Sequence, residues 1–127
     1  LQRSGVEHWP EAIEAFKQVL RQRPDHVAAN MHIAGLFGDT NQITAASWHY
    51  QKVLSIEPHN AGALCGIGAS LAAEGRLEEA IGYFERCTQQ DANFLSVVGE
   101  GMLVVYGRLG LHEKRASLQK RLPPKGR

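Results

Sequence analysis

The sequence predicts an all-α solenoid of stacked helix pairs, and two observations carry that prediction. The first is a fixed period of 34. Pro24 and Pro58 are separated by that step, as are Ala12, Ala46 and Ala80, and so are Phe16, Tyr50 and Phe84. Trp9, Ile43, Leu77 and Leu111 form a fourth ladder with the same step. A period of roughly 20–50 residues marks units that stack because none buries its apolar face alone. The second observation is negative: Val, Ile and Thr are not gathered in the alternating runs that half-buried strands need.

The elements follow in order. Pro10 to Gln22 reads as a helix, with proline in its first turn and Ile13, Phe16, Val19 and Leu20 along one side. Pro24 stops it. Asp25 is the expected N-cap of a helix from His26 to about Gly38, whose apolar side is Ile33, Ala34 and Phe37. A turn at Asp39-Thr40-Asn41 leads to a helix from Gln42 to Ile56, closed by Pro58. Asn60 caps a helix over 61–74, Gly75 turns the chain, and 76–90 forms the partner helix. Gly75 stands one period after Asn41, and Gly and Asn are the residues that reach left-handed backbone most readily. The last unit starts near Asn93, with helices expected over 94–108 and 111–122.

Small residues explain how the pairs close. Ala12, Ala46 and Ala80 recur where two backbones approach, and Ala34 and Gly68 form the matching small step on the first helix of each pair. Phe16, Phe37, Tyr50 and Phe84 fill the space those residues leave. The result is a single domain over 1–122: a half unit at 1–24, units at 25–58 and 59–92, and a degenerate terminal unit at 93–122. Residues 123–127 read as a basic tail or linker. Counting back one period from Val27 passes residue 1, so a longer natural protein is expected at the N-terminus.

Together the ladders resemble the tetratricopeptide repeat family. The third unit reads Leu64-x-x-Ile67-Gly68-x-x-Leu71, then Ala80-x-x-x-Phe84. The second reads Asn30-x-x-Ile33-Ala34-x-x-Phe37, then Ala46-x-x-x-Tyr50 and Pro58, and the first supplies Ala12-x-x-x-Phe16 and Pro24. Ala92 replaces the closing proline of the third unit. In the fourth, Val98, Val105, Leu111 and Leu118 keep step, but Gly101-Met102 inverts the large-then-small order and Lys114 stands where alanine belongs. Either a one- or two-residue insertion shifts this unit, or it is a terminal cap with relaxed rules.

The resemblance implies a right-handed superhelical solenoid of antiparallel helix pairs, whose first helices line a concave groove that binds peptides or partner helices. The expected groove residues are Ala28, Met31, Gly35 and Gly38 on the first of these helices. On the next they are Gly62, Cys65, Ala69, Ala72 and Ala73, and on the last Ser96, Gly99 and Leu103. These helices carry no Lys or Arg over 26–38, 60–75 and 94–107. A clamp for an acidic chain terminus is therefore absent. A small-sided apolar groove suits an apolar segment or an amphipathic helix. The same small residues could instead serve only close packing between units.

Other chemistry finds little support. Cys65 and Cys87 fall at different repeat positions on different helices, so they read as two buried apolar residues ahead of a bridge or a reactive thiol. His32 could approach Cys65 across adjacent helices, but no third group orients such a pair. No His-x-x-x-His or Cys-x-x-Cys spacing suggests zinc, and neither a metal nor a cofactor is expected. Gly66-x-Gly68 and Gly99-x-Gly101 lack the third glycine of a phosphate loop and read as close helix contacts. Trp9 sits on a ladder; Trp48 sits off it, half exposed, and both read as packing residues. Net charge is +1, with Lys114, Arg115, Lys120, Arg121, Lys125 and Arg127 all in the last fourteen residues and no acid among them. That end reads as a solvated helix running into a linker, and no nucleic acid is expected. No apolar run reaches the roughly 18 residues a membrane span needs.

The expected function is a protein–protein interaction scaffold or adaptor without catalytic activity. Two rivals remain. One is a self-assembling module stacked end to end with copies of itself, which an exposed Trp48 or an uncapped terminal helix would favour. The other is a non-catalytic appendage of a longer enzyme.

Overall fold

The computed structural model describes residues 4–123, with side chains from residue 9 onward. Residues 1–3, and 124–127 of the tail expected at 123–127, lie outside the described residues. Among the described residues there are seven α-helices and no strand: α1 (Ser4–Gln22), α2 (Val27–Asp39), α3 (Ile43–Ile56), α4 (Ala61–Ala73), α5 (Leu77–Gln90), α6 (Leu95–Arg108) and α7 (His112–Arg121). One 3₁₀ turn, Ala92–Phe94, precedes α6.

Two boundaries differ from expectation. Helix α1 begins six residues before Pro10, which lies inside it. Later units turn on residues of left-handed backbone: Asn41 (φ 64°), Gly75 (φ 82°) and Gly110 (φ 75°). The position one period before Asn41 holds Glu7, which lacks that freedom, so the helix runs straight through. The cap of α2 is His26 rather than Asp25. His26 Nδ1 accepts from the Ala29 amide at 3.1 Å, as Asn60 Oδ1 accepts from Ala63 at 2.9 Å one period later. Asp25 instead pairs with Lys52 at 3.1 Å.

Helices pack in the expected pairs, α2 with α3 and α4 with α5, and α3 carries the stack on to α4. Ala46 and Ala80 are fully buried. A Cβ at Gly68 would come within 2.9 Å of the Phe84 ring and 3.3 Å of the Ala80 carbonyl, so the small-against-aromatic contact sets the closeness of α4 and α5. Ile33, Phe37 and Ala46 form one core cluster with Ile13, Phe16 and Tyr50 packed on it; Leu64, Phe84, Met102, Val105 and Leu118 belong to a second. Among the described residues three polar side chains are buried, Asn30, Ser70 and Thr88, and Asn30 is the deepest. Asn30 Nδ2 donates to the carbonyls of Pro24 and His26, both at 3.0 Å, and its Oδ1 faces His49 Nδ1 at 2.9 Å.

The cysteines are bridged, contrary to the reading of two separate apolar residues. Cys65 on α4 and Cys87 on α5 form a buried disulfide across the helix pair. Different repeat positions did not keep them apart, because the inward face of a first helix meets the inward face of its own partner.

The fourth unit is shifted by one residue. The amide that opens each second helix donates to a carbonyl five residues back: Gln42 to Phe37, Arg76 to Leu71, Leu111 to Tyr106. The first step between these acceptors equals the period, and the next is longer by one. The turns entering the first helices, Arg23–His26, Glu57–Asn60 and Asp91–Phe94, keep the unaltered period. The extra residue therefore lies in α6, which has 14 residues where α2 and α4 have 13. Leu111 drops off its ladder to become the residue before α7, and it is exposed. Tyr106 takes the place of Phe37 and Leu71. Its hydroxyl donates to Glu85 Oε2 at 2.7 Å, where Lys114 Nζ also binds at 3.1 Å, tying α5, α6 and α7 together. Burial, and then that bond to Glu85, push the Tyr106 hydroxyl well above its ordinary pKa.

Candidate partner-binding face

The first helices α2, α4 and α6 present a common stripe once the extra residue of α6 is counted. Gly35, Ala69 and Val104 occupy one rung, and Ala28, Gly62 and Val97 another. Ala28 and Ala69 are exposed, Val97 is 72% exposed and Val104 56%. Gly101 lies between the two valines on the same face of α6, since residues four and three apart share a helix side. Open space lies above both Gly35 and Gly101.

Several expected groove residues are elsewhere. Cys65 is buried in the disulfide. Gly99 is buried beneath Leu122, whose Cδ2 would stand 2.7 Å from an added Cβ. Leu103 is 8% exposed and belongs to the second core cluster. Ser96 is exposed, with its hydroxyl donating to the Asn93 carbonyl at 2.9 Å, but it falls outside the stripe. An unbroken period selects these α6 residues, and the helix rotation that accompanies the extra residue replaces them with Val97, Glu100 and Val104, all exposed, with Gly101 beside them. Met31, Gly62 and Ala72 are half-buried, Gly38 and Ala73 exposed.

The glycines divide by task. A Cβ at Gly62 would meet Met31 Cε at 2.9 Å, and one at Gly66 would overlap the Tyr50 ring. Those two, with Gly68, allow neighbouring helices to approach, and Gly99 makes room for Leu122 just past the end of α7. A Cβ at Gly35, Gly38 or Gly101 would meet nothing within 4 Å, so no close approach requires glycine there, and Gly101 does not make the helix contact expected of it.

Charge on this face is sparse. Among the described residues, Arg108 in the last turn of α6 is the only Lys or Arg on α2, α4 and α6; Asp39 and Glu100 are the acids. His32 is exposed and stacks on Phe16, ring centroids 5.3 Å apart. With Cys65 bonded to Cys87 there is no thiol for His32 to activate. Among the described residues no three His, Cys, Asp or Glu side chains gather as a metal site. No helix there is long and apolar enough to cross a membrane.

The family model described as tetratricopeptide repeat matches residues 5–46 and 33–93. The chain belongs to the tetratricopeptide repeat family. Solved structures agree on the fold, an all-α solenoid of antiparallel helix pairs. A crystal structure of MamA superposes with a TM-score of 0.81 at 18% identity, over 94% of this chain and 69% of that one. A MamA RS-1 ArsTM double mutant gives 0.81 at 19% identity, over 92% and 65%. MamA residues 41-end from Desulfovibrio magneticus RS-1 gives 0.80 at 19%, over 93% and 66%. The chain spans about two thirds of the length of these MamA chains. No curated protein sequence matches it. As a tetratricopeptide repeat protein it is a scaffold for protein–protein contact, and in that family the first helices form the inner wall of the superhelix.

Proposed function

We propose that this chain is a non-catalytic scaffold whose inner wall holds an apolar or amphipathic helical segment of another protein. The observation that carries the reading is the pair of exposed valines on α6, Val97 and Val104, set either side of an open Gly101 and in line with exposed Ala69. An isolated exposed valine needs no explanation, but apolar side chains separated by a seven-residue step on a small-residue wall match the spacing of a helix laid in a groove. Covering each valine would contribute roughly 1–2 kcal/mol. The small residues on α2 and α4 let the partner's backbone come close, and the near absence of cations favours an apolar segment over an acidic one.

Capture of a partner from native extract tests this with Ala69→Arg and Val104→Glu as controls. Both positions are exposed, so circular dichroism should match the parent protein. Capture should fall at least about tenfold with either variant. Capture unchanged in both would move the interaction to another surface. Self-association is measured alongside by size exclusion with light scattering across concentration. Trp48 is exposed, the feature named above as favouring self-stacking, but it sits on α3, inside the stack and not at either end, so its exposure does not serve end-to-end contact.

A further inference from the structure

A second concavity lies away from the inner wall, between the second helices α1 and α3. It encloses about 410 Å³, within the size range of small-molecule sites. Lys17 and Arg21 of α1 and Lys52 of α3 line it, and none of its lining residues is acidic. Leu20 and Pro24 supply apolar wall, and Trp48 stands beside them with 62% of its surface in water. Trp48 is the largest side chain among the exposed apolar residues, and packing does not account for it.

The floor of the cleft is held by hydrogen bonds and ring contacts. Asn30 spends both amide hydrogens on the Pro24 and His26 carbonyls, so its Oδ1 is an acceptor and His49 Nδ1 must carry the proton between them. The His49 ring also stacks on Phe37, centroids 5.6 Å apart, and meets the Trp48 indole edge-on at 4.9 Å. Burial, and then the nearby Lys17 charge, lower the His49 pKa. Arg21 and Lys52 each pair with a carboxylate, Glu14 at 3.0 Å and Asp25 at 3.1 Å, and Lys17 adds a third cation. Both acids are well exposed, and such pairs are weak enough to be exchanged for an incoming anion.

We propose that this cleft binds a small organic anion with a flat apolar body, such as an aromatic carboxylate or sulfonate. The acid group meets the Lys17, Arg21 and Lys52 rim. The flat body lies against the Trp48 indole and the Leu20–Pro24 wall, where aromatic stacking adds to simple burial. The cleft is too small for a helix and differs in charge from the inner wall, so it is a separate site.

Naphthalene-2-sulfonate is a suitable probe, titrated into the full chain and followed by amide and indole ¹H–¹⁵N shifts. The uncharged 2-naphthylmethanol is the matched control. The expected result is one saturable site, with shifts centred on Lys17, Trp48 and His49. Binding should weaken about tenfold for the alcohol and for Lys17→Gln with Lys52→Gln, and be lost in Trp48→Ala. Lack of saturation, shifts centred elsewhere, or equal binding of the alcohol would overturn the assignment. The comparison of the two probes uses the unmodified protein, so it decides the matter even if a variant is poorly folded.

Discussion

Leu103→Ala and Val104→Ala are adjacent substitutions that should behave in opposite ways. With an unbroken period, Leu103 would share a rung with Gly35 and Ala69 on the open wall, and its truncation would cost little. With the extra residue in α6, Leu103 is 8% exposed and packed in the core, whereas Val104 is 56% exposed. Removing the buried leucine side chain should cost about 2–5 kcal/mol, from lost transfer energy and the cavity left behind. Truncating Val104 forfeits two methyl groups that are already more than half in water. The loss is under about 1 kcal/mol, offset by roughly 0.5 kcal/mol of improved helix propensity. Urea unfolding followed by circular dichroism at 25 °C measures both. A clear shift in midpoint for Leu103→Ala and almost none for Val104→Ala is expected, with unchanged slopes. Equal losses, or a larger loss at Val104, would refute the one-residue shift and the binding wall built on it.

Reduction of the Cys65–Cys87 disulfide, which spans 22 residues, should cost about 3 kcal/mol of stability by the loop-closure argument, read as a lower urea midpoint in reductant. Two free thiols by mass in the unreduced protein would contradict the pairing. Gly75→Ala should destabilise by about 1 kcal/mol, because φ is +82° there, while Gly35→Ala, with open space around it in a helix, should stabilise by about 0.5–1 kcal/mol. The His49 pKa is lowered below its ordinary 6.5 by burial and by Lys17, so the folded state binds the proton less well than the unfolded chain. Its contribution to stability is present above about pH 6.5 and is lost as pH falls below that; the drop in urea midpoint from pH 7.5 to 5.5 should be smaller in His49→Gln, and an identical drop would contradict it.

The helix pairs were legible in the sequence because their contacts recur at one spacing. Ala46, Ala80, Tyr50 and Phe84 each stand where the ladder puts them, and Gly68 opens the space that Phe84 fills. The fourth unit was harder to read, because one added residue turns every later side chain by about 100° around the helix axis. That turn carries Leu103 inward and Val104 outward. A signal for it was present: Gly75 follows Asn41 by one period, whereas Gly110 follows Gly75 by one period and a residue more. The His26 cap was legible in the same way, one period before Asn60, although aspartate is the commoner cap and Asp25 lies next to it. The disulfide was not legible, because repeat position alone does not say which sides of a helix pair face one another. Nor was the cleft beside Trp48, whose lining comes from three helices and a turn and shares no period.

Photo-crosslinking from the inner wall tests the scaffold reading most directly. A benzophenone side chain is placed at position 69 or 104, with position 78 on the exposed outside of α5 as control. Adducts from 69 and 104 should map to one apolar or amphipathic helical segment of another protein and be missing from 78. Adducts arising from 78 alone, or from none of the three while the partner is still captured, would place binding away from the first helices.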